Sequence, residues 1–222
     1  MTGIPLDSSD FLSKMGDTCN DHLVEMAIYK KEQIYVHTSL YITLMDSIFQ
    51  RDLVKAAETL QKHQEALANA DFDTTFYVGL AAFQLARETK ESHWIEIGIT
   101  ALDSFELLSK QCDLNFENRF LLLKAEMHHF NRNARAAVEA YDQSIESARK
   151  HNFIHQEALA CELAAHFFGD TGARKRAREM IQKSHDAYVE WGAHKKAESV
   201  IELLDLEYLK ASDLEHLKLP KA

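Results

Sequence analysis

The side chains able to do chemistry are scattered along this chain rather than gathered. Twelve histidines raise the question of a metal. His151 and His155 stand four apart, and His128 and His129 are adjacent; Cys161 or Glu157 would be the nearest further ligands. A structural or catalytic zinc needs three or four ligands at characteristic spacings. No third ligand sits at such a spacing, and a turn is expected between His151 and His155. These histidines are therefore read as surface and helix-end residues, and no metal or cofactor is expected.

Thiol catalysis needs a thiolate beside a base on a positioned turn. Cys161 lies inside Ala160-Cys161-Glu162-Leu163, where a cysteine behaves as a small hydrophobe. Cys19 is near the N-terminus and Cys112 near a turn. The many Asp and Glu residues fit solvated helix faces and mark no catalytic pair. No enzyme activity is expected. One basic run, Arg174, Lys175, Arg176 and Arg178, opens a helix at the end where the dipole disfavours cations. It is a solvated outer face or, alternatively, a patch for an anionic partner such as a phosphoprotein or an acidic segment.

The elements that must position these residues are helices. Only two prolines occur, Pro5 and Pro220, and none lies between them. Because proline removes a donor and clashes with the preceding turn, its absence suits continuous helix. Val, Ile and Thr form no alternating strand-like runs. Apolar residues recur at helical intervals from His22 to Phe49, and further helices are predicted at 52–68, 74–88, 92–111, 116–131, 134–151, 154–168, 173–191 and 194–210. Asp73 and Ser92 are predicted N-caps, and Gly192 a left-handed C-cap. The breaks are short, which makes successive helices antiparallel neighbours. Residues 1–16 are expected to be a flexible leader, 17–210 one helical-repeat domain and 211–222 a tail.

With 46% hydrophobic residues the chain can bury a core, and a net charge of −10 argues against nucleic acid as the main partner. Three cysteines without regular spacing, no secretory signal and no long apolar stretch point to a cytoplasmic protein without a membrane partner.

A repeat runs through the second half. Shifting the chain by 40 residues places Ala125 on Ala165, Ala137 on Ala177, Glu139 on Glu179, Tyr141 on Ile181 and Ser144 on Ser184 without a gap. Small residues let the two helices of a hairpin approach, and a large one fills the space to the next hairpin. This is tetratricopeptide logic, here with a period longer than the usual ~34 residues. Degenerate copies lie upstream, one pairing Ala81 and Ala82 with Ala101, Phe105 and Leu108, the other around Ala56, Ala57 and Leu60. The expected fold is all-α, an antiparallel helix-hairpin array of the tetratricopeptide-like right-handed α-solenoid type.

The runs Ala137 to Arg149, Asn152-Phe153, Gln156 to Phe168, Tyr188 to Lys196 and Asn115 to Asn118 carry a more specific likeness. Over about 113–200 the chain resembles a helical segment of very large signalling proteins. In these a protein-kinase-like domain and an AAA-type ATPase precede the segment, and a GAF sensor and often a histidine kinase follow it. The chain has no kinase, ATPase or histidine-kinase motif of its own. The resemblance implies a non-catalytic interaction module of intracellular signalling.

If the first helix of each pair lines a groove, counting from Ala125 and Ala165 puts Arg119, Leu122, Glu126, His129, Glu162 and His166 on it. The mixed charge suits a helix or loop of a protein partner, or the chain's own N-terminal helix, better than a bare carboxylate tail. An alternative role is self-association as a homodimeric spacer, through the leucine-rich end from Val200 to Leu219.

Overall fold

The computed structural model describes residues 35–202, which are helical throughout apart from short turns. The helices are α1 (35–50), α2 (Leu53–Lys62), α3 (Gln64–Leu67), α4 (Phe72–Thr89), α5 (Ser92–Gln111), α6 (Asp113–Phe130), α7 (Ala134–Lys150), α8 (Ile154–Asp170), α9 (Arg174–Trp191) and α10 (194–202). Among the described residues there is no strand, and no helix is long and apolar enough to cross a membrane. The expected leader, the tail, Cys19 and the leucine-rich end beyond 202 lie outside the described residues.

From α4 onward, turns of one to three residues fold each helix back on the one before. Thus α4 packs on α5, α6 on α7 and α8 on α9, while α6 also meets both α4 and α8. The seams are made of small residues. Ala125, Ala137, Ala165 and Ala177 are all fully buried, as the proposed nesting of helices requires. The same seam runs upstream, where a Cβ added to Gly79 of α4 would sit 2.8 Å from the Cβ of Ala101 on α5.

The last four turns share one geometry. Arg132, Asn152, Gly172 and Gly192 all have positive φ and stand 20 residues apart. After each, the next residue's amide bonds back to the carbonyl five positions earlier: Asn133 to His128, Phe153 to Ala148, Ala173 to Phe168 and Ala193 to Tyr188. The left-handed residue's own amide reaches back three: Arg132 to His129, Asn152 to Arg149, Gly172 to Gly169 and Gly192 to Val189. This is the Schellman closure, which satisfies carbonyls left open at a helix end. Glycine adopts the left-handed conformation freely, whereas Arg132 and Arg51 hold it against their Cβ atoms. Gly192 therefore caps α9 as its position suggested.

Three sequence expectations change. Asp71, not Asp73, caps α4, its carboxylate accepting from the Thr74 amide at 2.7 Å. Asp73 is left free to pair with Arg119. Ser92 is the first residue of α5 and Glu91 precedes it as the cap; the Glu91 carboxylate accepts from Trp94 Nε1 instead of from an open amide. The single helix expected over 52–68 is interrupted at His63, whose φ of −113° and ψ of 27° leave the helical region.

One interaction repeats with the 40-residue register. Ser144 Oγ donates to the Asn118 carbonyl at 2.8 Å, and Ser184 Oγ donates to the Ala158 carbonyl at 2.9 Å. Each buried serine thus holds the second helix of its hairpin to the first, with its hydroxyl satisfied.

Candidate partner-binding site

The six positions expected on a groove do cluster, since α6 and α8 carry all of them and pack against each other. The surface they line is covered. Leu122, Glu126 and Glu162 are 2% exposed or less, so they are not open groove residues. The physical reason is that the chain supplies its own occupant. Helix α1 presents Leu40, Leu44, Ser47 and Ile48, all buried, on one stripe, with Tyr35 and Ile42 exposed on other sides. The Tyr41 ring meets Tyr77 of α4 edge-on at 5.7 Å, and Phe49 meets Tyr188 of α9 at 6.0 Å. Burying each of the three aliphatic side chains contributes about 1.5–3 kcal/mol relative to leaving it in water. Ser47 sits in this apolar stripe at no polar cost, because its hydroxyl donates to Thr43 O at 2.7 Å within the helix.

Polar groups lie under and beside α1. Near its Tyr41 end, Arg119 donates to Asp73 Oδ1 at 2.6 Å, and the guanidinium lies 5.5 Å from the Phe76 ring centre. At its C-terminal end, Lys196 Nζ donates to Glu162 Oε1 at 2.6 Å and to the Phe49 carbonyl. The Tyr188 hydroxyl donates to the other Glu162 oxygen at 2.7 Å. Both carboxylate oxygens of a buried Glu162 are thereby occupied, which offsets its loss of water.

A second buried carboxylate lies deeper. Glu126 accepts from Arg87 Nη1 at 2.6 Å and from the Tyr141 hydroxyl at 2.5 Å. The two tyrosine–glutamate pairs do not follow the 40-residue register, because Glu126 aligns with His166 and Tyr141 with Ile181. Burial pushes both tyrosine hydroxyls well above their usual range, with the neighbouring carboxylate adding to the effect. They act as fixed donors. His166 is held neutral: burial first, then the charge of Arg51, pushes its pKa down to about 3.

His129 is tied down on one side only. Its Nε2 lies 3.2 Å from Asp170 Oδ2, its ring meets Phe167 edge-on, and its buried Nδ1 has no partner. The hydrogen bond from His129 lowers the pKa of Asp170, against the effect of its partial burial. These residues line a polar cleft of about 550 Å³ with Arg87, Lys90 and Arg132, where the C-terminal ends of α4, α6 and α8 converge.

Within the basic run, Arg176 is used internally. Arg176 stacks 4.2 Å above the Phe168 ring and meets Asp142 at 3.2 Å, tying α9 to α8 and α7. Ala177 within the run is fully buried. Lys175 is exposed, and Arg174 and Arg178 each have interactions of their own. The run is thus not a uniform basic surface.

Among the described residues, no three His, Cys, Asp or Glu side chains are grouped so as to hold a metal. His151 caps the end of α7 and His155 lies in α8, its ring 5.4 Å from that of Trp191. Cys161 is fully buried, and desolvation pushes its thiol up to about 12, so it carries no thiolate at neutral pH. Trp94 is buried as an anchor of α5, whereas Trp191 is 46% exposed. Trp191 stacks on Phe49 and lines an apolar cleft of about 370 Å³ with Ile42, Met45 and Lys196, at the edge of the α1 contact. The sequence carried no signal for this cleft, because Phe49 and Trp191 are far apart in the chain. In comparisons with known proteins, no family model, no curated protein and no solved structure matches the chain.

Proposed function

We propose that this chain is a non-catalytic scaffold of the tetratricopeptide type, binding a protein segment through its helical surface within a larger signalling assembly. The observation that carries this is the repeated hairpin. Small residues form each seam, the Ser144 and Ser184 hydroxyls make the same contact one register apart, and four turns share one closure. An array of this kind offers an extended surface for recognition. The face of α4, α6 and α8 already holds one amphipathic helix, so its chemistry suits another. The resemblance over 113–200 to the helical segment of large ATPase and sensor-kinase proteins supplies the signalling context. The cytoplasm is the expected compartment.

Photo-crosslinking tests the reading. A photoreactive residue placed at exposed Ile42, beside the apolar cleft, should capture a second protein in the native cell, while one at exposed Asp103 on α5 should not. No adduct at either position would overturn the scaffold role. Adducts formed only with another copy of this chain would favour the self-associating spacer instead, and light scattering showing a concentration-independent monomer would remove that alternative.

A further inference from the structure

We infer that α1 is a displaceable occupant of the face formed by α4, α6 and α8, and that this face accepts in its place an amphipathic helix of a partner protein. The inference rests on the scaffold reading and names the partner's chemistry: an apolar stripe at the spacing of Leu40, Leu44 and Ile48, flanked by neutral and weakly polar residues.

Two features of the contact carry it. The first is the polarity of what α1 covers. A permanently closed helix contact is best filled by apolar side chains, since a buried ion pair rarely gains over a well-packed hydrophobic substitute. Here the covered layer contains the Glu162–Lys196 pair, the Tyr188 hydroxyl and His166, with the half-open Asp73–Arg119 pair at its margin. The members of each ion pair come from α4 and α6, or from α8 and α10, so the pairs remain satisfied when α1 leaves. They are also groups that water solvates readily. These polar groups cost less to expose than leucines in their place would, and the main cost of removing α1 is the apolar stripe of Leu40, Leu44 and Ile48, which an incoming helix with the same stripe restores.

The second feature is how little of the contact is specific to this one chain. Only one hydrogen bond from the covered layer reaches α1 among the side-chain bonds described, from Lys196 to the main-chain carbonyl of Phe49. A main-chain acceptor at a helix C-terminus is present in any helix that lies there. The other contacts described for α1 are dominated by the apolar stripe and the rings of Tyr41 and Phe49. The face therefore recognises a helix, its apolar spacing and its C-terminal carbonyls, in the helix-in-groove manner.

The test uses the full chain, a labelled synthetic peptide spanning residues 35–50 and the variant Leu44→Asp. Leu44 is fully buried in the stripe, so the carboxylate drives α1 off the face. The variant should keep a cooperative helical melt and bind the peptide at least about tenfold more tightly than the unaltered chain, because the competent fraction rises when the resident helix leaves. A peptide with Ser at positions 40, 44 and 48 should not bind. In the unaltered chain, hydrogen exchange of the α1 amides should be faster than that of α6 and α8. Collapse of the helical signal in Leu44→Asp, equal peptide affinity for both proteins, or α1 exchange only through global unfolding would each overturn the inference. Crosslinks to a partner at Ile42 combined with any of these failures would leave the scaffold role standing and remove only the displacement.

Discussion

The close approach of α4 to its neighbours can be challenged at a single atom. Gly79 lies mid-helix, and a Cβ there would stand 2.7 Å from Leu123 Cδ2 and 2.8 Å from Ala101 Cβ. The Leu123 methyl can turn only slightly in a fully buried site, and the Ala101 Cβ cannot turn at all. Relief requires α4 and α5 to separate towards ordinary carbon contact near ~3.6–4 Å. Overpacking of this kind costs about 1–3 kcal/mol, against a gain of about 1 kcal/mol from replacing glycine by alanine within a helix. Gly79→Ala should thus lose up to about 2 kcal/mol net. Gly169→Ala is the matched control. Gly169 is also helical, but its added Cβ meets nothing within 4 Å, so only the propensity gain remains. Urea unfolding followed by circular dichroism should separate the two variants by about 1–3 kcal/mol, with the unaltered protein between them. If Gly79→Ala proved as stable as Gly169→Ala, the small-residue seam would not be tight and the nesting argument would fail.

Three further outcomes follow from the buried groups and the turns. His166 has a folded pKa of about 3 against about 6.5 when unfolded, so the unfolded chain binds the extra proton as pH falls between these values. Its contribution to stability is full above about pH 6.5 and is lost progressively towards pH 3, roughly 2 kcal/mol by pH 5. His166→Phe should flatten that part of a stability–pH curve, and an unchanged slope would exclude His166 as its source. Arg132→Gly relieves a side chain held at positive φ and should stabilise by about 0.5–1 kcal/mol, while Gly172→Ala, 40 residues on in the equivalent turn, should lose a similar amount; thermal melts showing the same sign for both would contradict the shared turn geometry. Glu162→Ala strands the largely buried Lys196 ammonium and the Tyr188 hydroxyl, and denaturation should register a loss of about 3–5 kcal/mol. Adding Lys196→Met to Glu162→Ala should recover part of that loss, and strict additivity of the two would argue against direct coupling.

Much of the fold was legible because helices are local objects. Apolar spacing and the absence of internal proline located α5, α7, α8 and α9 to within two residues at each end. The 40-residue register found the buried alanines because a small side chain in a seam is required whatever surrounds it. Cap assignments at Asp73 and Ser92 failed for a local reason: several neighbouring polar residues can cap a helix, and the backbone entering α4 and α5 picks one. The groove positions lie on α6 and α8, with Leu122, Glu126 and Glu162 buried and Arg119, His129 and His166 partly so; periodicity identifies a face without deciding between the open groove and the one filled by the chain's own helix, both of which the sequence allowed.

By itself, then, the sequence determined the helices, their short turns and the small-residue seams, all properties of neighbouring residues along one chain. Only the tertiary structure decided that α1 covers the face of α4, α6 and α8. Lys196 reaches the carbonyl of Phe49 across 147 positions, and Tyr188 reaches Glu162 across 26. A side chain's identity states that it can donate or accept; which partner it meets depends on helices brought together by packing.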